Sequence, residues 1–395
     1  MTPQRLTMAV FFVQPLAFGA WLPRIPDVQQ QLGLGPAGLS LALLGLPVGI
    51  LLTLPFAGRL VGRTGPRTAI FYGFIAFLVA VALPVWAWNT PSLFVALMLT
   101  GSSMSTLELG LNVMADSVEK RGGRIIMSTC HGFWSLGMMA GSLIGSGLAA
   151  LHVAPHWAMP LLSVVLLPVS LAVAAALPAH TPEPEAEKPA SATRLALPDP
   201  LLLGICVFAL GIAMTEGAMA DWSAVFLRDD LAAGPGIAGI GYTVFALLVA
   251  AGRFTGDYLK KRYGPVPLAR ACGLCAIAGL GAVLLAPNTP LAIAAFGLVG
   301  IGVSVGFPLA VTAAAGVPGR PAAISVATLS FISLIGFLIG PPLIGFVAQA
   351  AGLLIGLSTL LVPLLLSLVL AGMLRPRNAR SDAAATAAPP LPVIE

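Results

Sequence analysis

Apolar runs of about 17 to 25 residues recur along the whole chain, separated by short polar breaks. A helix rises about 1.5 Å per residue, so each run reaches across roughly 30 Å of hydrocarbon. The pattern predicts twelve spanning helices, over residues 7–26, 37–57, 68–88, 91–115, 128–150, 157–178, 199–226, 237–257, 267–286, 290–315, 322–348 and 352–373. Membrane β-barrels instead alternate apolar and polar positions in segments of about ten residues, a pattern this chain lacks. The predicted fold class is an all-α membrane protein.

Composition agrees. Only 9% of the 395 residues are charged, against about 25% in soluble domains. The net charge of +5 raises the question of nucleic acid, but the placement of the basic residues points to a lipid bilayer. With the N-terminus set inside, 18 of the 20 Lys and Arg residues fall in cytoplasmic segments, and only Arg24 and Arg228 fall outside. The positive-inside rule then predicts an inner (plasma) membrane protein with an even number of spans and both termini cytoplasmic. No small-residue cleavage site precedes a polar mature chain, so the first span is expected to be retained. Cys130, Cys206, Cys272 and Cys275 all lie in predicted spans, and no other ligand type accompanies the Cys272–Cys275 pair. Helix packing is therefore expected of them, with no metal or cofactor implied.

Residues 179–198 are polar and Pro-rich, and read as a cytoplasmic linker between a six-helix half at 1–178 and another at 199–374. Residues 375–395 read as a disordered cytoplasmic tail. The halves repeat one another. Ala57-Gly58-Arg59-Leu60-Val61-Gly62 returns as Ala251-Gly252-Arg253-Phe254-Thr255-Gly256, Phe18-Gly19-Ala20-Trp21 faces Glu216-Gly217-Ala218-Met219, and Phe133-Trp134-Ser135-Leu136-Gly137 faces Phe331-Ile332-Ser333-Leu334-Ile335-Gly336. Parallel repeats with a solute path at their interface are a transporter architecture. Glycines at four-residue spacing in span five (Gly137, Gly141, Gly145) and span eleven (Gly336, Gly340) predict close helix approach, as packing or as a seam on which the halves rock.

On these motifs the chain resembles the major facilitator superfamily over nearly its whole length. The stretch Gly58-Arg59-Leu-Val-Gly-Arg63-Thr-Gly65-Pro-Arg67 is similar to that superfamily's signature between spans two and three, with a second copy at Gly252-Arg253 through Asp257 to Arg262. The resemblance implies twelve helices in two pseudo-symmetric halves, alternating access and a monomer. Gly62 stands where the family has an aspartate that latches the cytoplasmic side, so the latch is expected in the second half, from Asp257 with Arg253 and Arg262.

Two acids fall well inside apolar spans, Glu108 and Glu216. A charge at mid-membrane costs about 2.5–3.5 kcal/mol on insertion scales, which makes such acids candidates for proton coupling. Gly101, Ser105, Glu108, Asn112 and Asp116 share one face of span four, predicting a cavity-lining stripe. Leu107-Glu108-Leu-Gly-Leu-Asn112 resembles the acid-x-x-x-Asn motif of the fucose:proton symporter family, as does the turn Ile25-Pro26-Asp27. That resemblance makes Glu108 the proton carrier. Leu22 replaces the family's sugar-contacting acid, so the substrate does not carry over. His131 aligns with a sugar-binding glutamine of that family. Asn112, His131, Trp134, Ser135 and Gln14 are the candidate solute contacts. Asp221, five residues past Glu216, is expected to pair with Arg24 or Arg228 in a periplasmic gate.

The intramembrane acids and the polar stripe predict a carrier of a small polar solute, and the resemblance implies proton symport of a sugar or sugar-like metabolite. Proton-driven export of amphipathic compounds is the alternative. No nucleophile–base pair, metal cluster or phosphate loop points to an enzyme or to ATP coupling.

Overall fold

The computed structural model describes residues 1–123, 126–179 and 199–376. Twelve of its helices are long and apolar enough to cross a membrane: Pro3–Leu32, Pro36–Thr64, Pro66–Trp86, Thr90–Gly122, Met127–Ala150, Pro155–Ala176, Pro200–Asp229, Pro235–Tyr263, Pro265–Leu284, Thr289–Ala315, Ile324–Ala351 and Leu353–Leu374. They are spans one to twelve below. The predicted linker and tail lie almost wholly outside the described residues.

Proline sets many of the starts. It occupies the first turn of spans two, three, six, seven, eight and nine, where its missing N–H would have had no helical partner and its fixed φ suits the helix. Spans four, seven and ten are capped by Asn89, Asp199 and Asn288, whose side chains accept from Ser92, Leu202 and Leu291 backbone N–H groups. Each half turns sharply at a Gly-Pro pair after its second span. Gly65 has φ 78° and Gly264 φ 82°, a region open to glycine at little cost, and the following proline starts the next helix. The repeat read from the sequence is therefore a repeat of turn geometry too.

The halves meet along two seams. Spans five and eight are joined by Ser142 Oγ donating to the Gly239 carbonyl (3.2 Å), Thr243 Oγ1 donating to Ser142 Oγ (2.9 Å), and an edge-to-face contact of Phe133 with Phe254. Spans two and eleven meet where the Ala37 N–H donates to Gln349 Oε1 (3.5 Å) and Gly345 lies directly on Ser40. These contacts are densest toward the end that carries Arg24 and Arg228. At the linker end Gly58, Gly62 and Gly65 face open space, and Arg59 and Arg63 are exposed. The bundle is closed at the Arg24 end and open at the linker end.

Two expectations about the glycines change. Gly137, Gly141 and Gly145 lie against the backbone of Phe12, Leu16 and Ala20 in span one, within their own half, so they pack that half rather than form the seam. Gly132, against the Phe254 ring, is the span-five glycine that faces the other half. In the predicted polar stripe, a Cβ on Gly101 would stand 2.0 Å from the Leu46 carbonyl oxygen. That position therefore binds span four to span two and lines no cavity.

Candidate solute site between the halves

A chain of polar contacts runs through spans one, five, seven and eight. Trp134 donates its indole N–H to Gln14 Oε1 at 2.8 Å, tying span five to span one. Next to it, Ser135 accepts from Arg253 Nη1 at 2.7 Å, across the seam between the halves. Arg253 Nη2 in turn donates to Glu216 Oε1 at 3.1 Å and Oε2 at 3.4 Å. One turn toward the linker end, the exposed His131 meets the Phe11 ring edge-on at 5.5 Å. The structure brings together Gln14, Trp134, Ser135, Glu216 and Arg253, with His131 at the edge of the open side.

Along this line of contacts two buried donors have no partner among the described residues: Gln14 Nε2 and Arg253 Nε. A buried donor left unpaired costs about 1–3 kcal/mol, so both are places where a solute acceptor would be welcome.

Glu108 stands apart. It is partly exposed, near the middle of span four, and among the described residues its carboxylate makes no hydrogen bond or ion pair. Asn112 donates to the Glu108 backbone carbonyl at 3.0 Å, not to its side chain. Asp116, at the end of the predicted stripe, is exposed and paired with Lys120 at 2.7 Å.

Two expected pairings are absent from this conformation. Open at the linker end, it shows no ion pair of Asp257 with Arg253 or Arg262 among the described residues: Arg253 is inside span eight, about 15 Å from its end at 1.5 Å per residue. There it reaches Glu216, while Arg262 is bonded to Tyr258 Oη at 3.1 Å. Asp257 borders a separate cavity of about 400 Å³ with Lys260, Lys261 and Arg375. Toward the closed end Asp221 makes no ion pair among the described residues, because it lies about 10 Å deeper in span seven than Arg228. Asp27 takes that role instead, holding Arg24 at 3.1 Å and Arg228 at 3.4 Å. Arg24 also donates to the Val153 carbonyl, and Arg228 to Gln30 Oε1 at 3.4 Å.

Of the remaining motif residues, Arg67 donates to the Ala175 carbonyl and so caps span six. Gly252 packs on Ser304 of span ten. Asp27 was visible in the sequence only as part of a turn motif. Arg253 was hidden because the positive-inside count placed it among the cytoplasmic residues, although no proline separates it from Tyr263.

Polar and charged side chains converge where two helical halves meet in the membrane, the layout of a solute carrier. The comparisons with known proteins agree. Residues 7–323 and 201–395 match the model of the Major Facilitator Superfamily. The chain is 32% identical over 354 residues to an MFS-type transporter of Yersinia pestis, covering 89% of this chain and 91% of that one. Among solved structures, a variant of the nucleoside transporter NupG superposes with a TM-score of 0.75 at 12% identity, covering 94% of this chain and 99% of that one. A variant of the E. coli fucose:proton symporter FucP gives 0.64 at 17% identity, covering 95% and 99%. The chain belongs to the Major Facilitator Superfamily, and is a multi-pass membrane transporter, not an enzyme.

Proposed function

We propose that this transporter is a monomeric proton symporter that imports a small polar solute, a sugar or sugar-like metabolite, by alternating access. The halves at 1–178 and 199–374 rock about the seams of spans five with eight and two with eleven, with the linker end in the cytoplasm. The conformation described is then open to the cytoplasm. Gln14, Asn112, His131, Trp134 and Ser135 are the proposed solute contacts, and Glu108 and Glu216 the proton-coupling acids.

One observation carries this reading: the Glu108 carboxyl stands midway along a membrane helix with no hydrogen bond or ion pair. A charge there without a counterion is costly, so its protonation state is tied to which side of the membrane it meets. Packing alone supplies no reason to keep an unpaired acid at that depth. Glu216 differs in being ion-paired with Arg253.

The test is external pH in a lightly buffered suspension of de-energised cells that express the protein. Alkalinisation on adding one member of a panel of monosaccharides, polyols and sugar acids is expected. Glu108→Gln is expected to keep solute exchange and lose uphill accumulation. Undiminished accumulation in that variant would remove Glu108 from the proton path.

A further inference from the structure

The site's single ion pair points to the charge of the solute, an inference that rests on the symport reading above. Arg253 is the only Arg or Lys that the structure places within the polar chain between the halves among the described residues, and its side chain is 14% exposed. Its fork is half used. Nη1 is on Ser135 and Nη2 on Glu216, whereas Nε is buried and has no acceptor. Nε and Nη2 form one edge of the guanidinium, the edge that takes a carboxylate through two parallel hydrogen bonds. Glu216 occupies only Nη2 of that edge. Its side chain is 23% exposed, so its carboxylate is within reach of the open side.

Protonating Glu216 would leave Arg253 as an unpaired cation within the membrane, a costly state. Among the described residues no other acid is ion-paired with Arg253, and Asp257, one turn further along span eight, borders the separate cavity instead. Tyr242 from span eight and His131 from span five lie within electrostatic reach of Arg253, and neither supplies a negative charge as a neutral group. Asp221, on the same span as Glu216, makes no ion pair with Arg253. Spans ten, eleven and twelve contain no charged residue. The missing negative charge has to arrive with the solute.

We infer that the solute is a monocarboxylate, a sugar acid in the proposed class, whose carboxylate replaces Glu216 on the Nε–Nη2 edge of Arg253 as Glu216 takes a proton. The charges balance: Glu216⁻ with Arg253⁺ becomes neutral Glu216 with Arg253⁺ and the solute's carboxylate. One proton balances one negative charge, which favours a carboxylate over a phosphate monoester, which carries close to two. Proton and solute are coupled because neither occupies the pair favourably without the other. Raising the pH keeps Glu216 charged and on Arg253, so it competes with the anion and weakens its binding.

The experiment compares D-gluconate with sorbitol, its uncharged counterpart of equal chain length, in the proton-uptake assay and in thermal-shift binding to purified protein. Gluconate is expected to evoke alkalinisation and stabilisation that sorbitol does not. Arg253→Lys, which keeps the charge and loses the fork, is expected to weaken gluconate binding about tenfold, as is Arg253→Gln. Glu216→Gln is expected to bind gluconate with an affinity that no longer falls as pH rises, a readout that a merely structural role would not give. A response to sorbitol alone overturns the anion inference and leaves symport standing. Silence to gluconate, sorbitol and the wider panel overturns both readings together. A gluconate response untouched in a folded Arg253→Lys or Arg253→Gln protein overturns the role of Arg253.

Discussion

Asp27 holds Arg228 across the closed end of the bundle, Oδ1 to Nη1 at 3.4 Å, while its other oxygen holds Arg24 at 3.1 Å. Span one thereby supplies the acid that neutralises one arginine from each half. Arg24 is 2% exposed and Arg228 18%, so without Asp27 two largely buried like charges would be left at one seam. Removing one partner of a buried pair costs about 3–5 kcal/mol, here charged to the closed conformation. Asp27→Asn is expected to open this end. Cysteines placed at Ala37 and Gln349, which touch in this closed end, should crosslink at least about tenfold less in the variant. An unchanged yield would show that the span-two and span-eleven contact closes the end by itself.

The Gln14–Trp134 bond predicts a split between affinity and folding. Gln14 gives its oxygen to Trp134 and has a buried amide N–H to spare. Gln14→Ala removes the donor offered to the solute, and Trp134→Phe frees the oxygen while keeping most of the ring. Each is expected to raise KM for solute exchange about tenfold with near-normal expression. Equal losses in KM and in the amount of folded protein would assign the pair to packing alone.

Glycines that look alike in sequence are expected to differ sharply on substitution. A Cβ at Gly101 would sit 2.0 Å from the Leu46 carbonyl oxygen and one at Gly49 2.0 Å from that of Met98, whereas one at Gly58 meets nothing within 4 Å. Gly101→Ala and Gly49→Ala push two backbones apart, and each is expected to destabilise by about 1–3 kcal/mol or more. Gly58→Ala, in the signature motif, is expected to leave thermal stability within about 0.5 kcal/mol of the original. Thermal denaturation in detergent of the three variants side by side checks the order.

The same contrast marks what the sequence made legible. Apolar runs located all twelve spans, because span length is imposed by the bilayer. Four of the side chains singled out by residue type, Gln14, Trp134, Ser135 and Glu216, fall in one line of polar contacts, while Glu108 stands apart from it. Pairing was harder to read. Arg253 was counted as a cytoplasmic anchor because charge statistics along the chain do not say where a helix ends. Span eight runs on to Tyr263, which draws Arg253 inward to Glu216. Asp221 was expected to pair with Arg24 or Arg228, but it lies two helical turns from Arg228, and the acid that holds both arginines came from span one. Gly101 shares a helix face with Glu108, yet span two covers that part of the face. Contacts made between spans leave little periodic trace within either one.

Gly62 offers a test of how the open end closes. It is exposed, and a Cβ there meets nothing within 4 Å, so Gly62→Asp adds a carboxylate without a clash. Among the described residues Arg59 and Arg63 on the same helix have no acid partner, so the new charge is tolerated in the open conformation. Span two packs on span eleven near Gly345 at the closed end. Rocking the halves about that seam would bring the linker end of span two toward the start of span eleven. Helix N-termini carry the positive end of the macrodipole, worth about 0.3–1 kcal/mol to a nearby anion. The aspartate therefore gains this further stabilisation only when the linker end closes. Gly62→Asp is expected to fold as well as the original chain and to shift its population toward closure by a factor of about two to five. Maleimide labelling of a cysteine placed at His131, exposed at the open side, should slow by that factor. Labelling at the original rate in a well-folded variant would show that closure brings nothing positive to Gly62, and that the halves approach along a different axis.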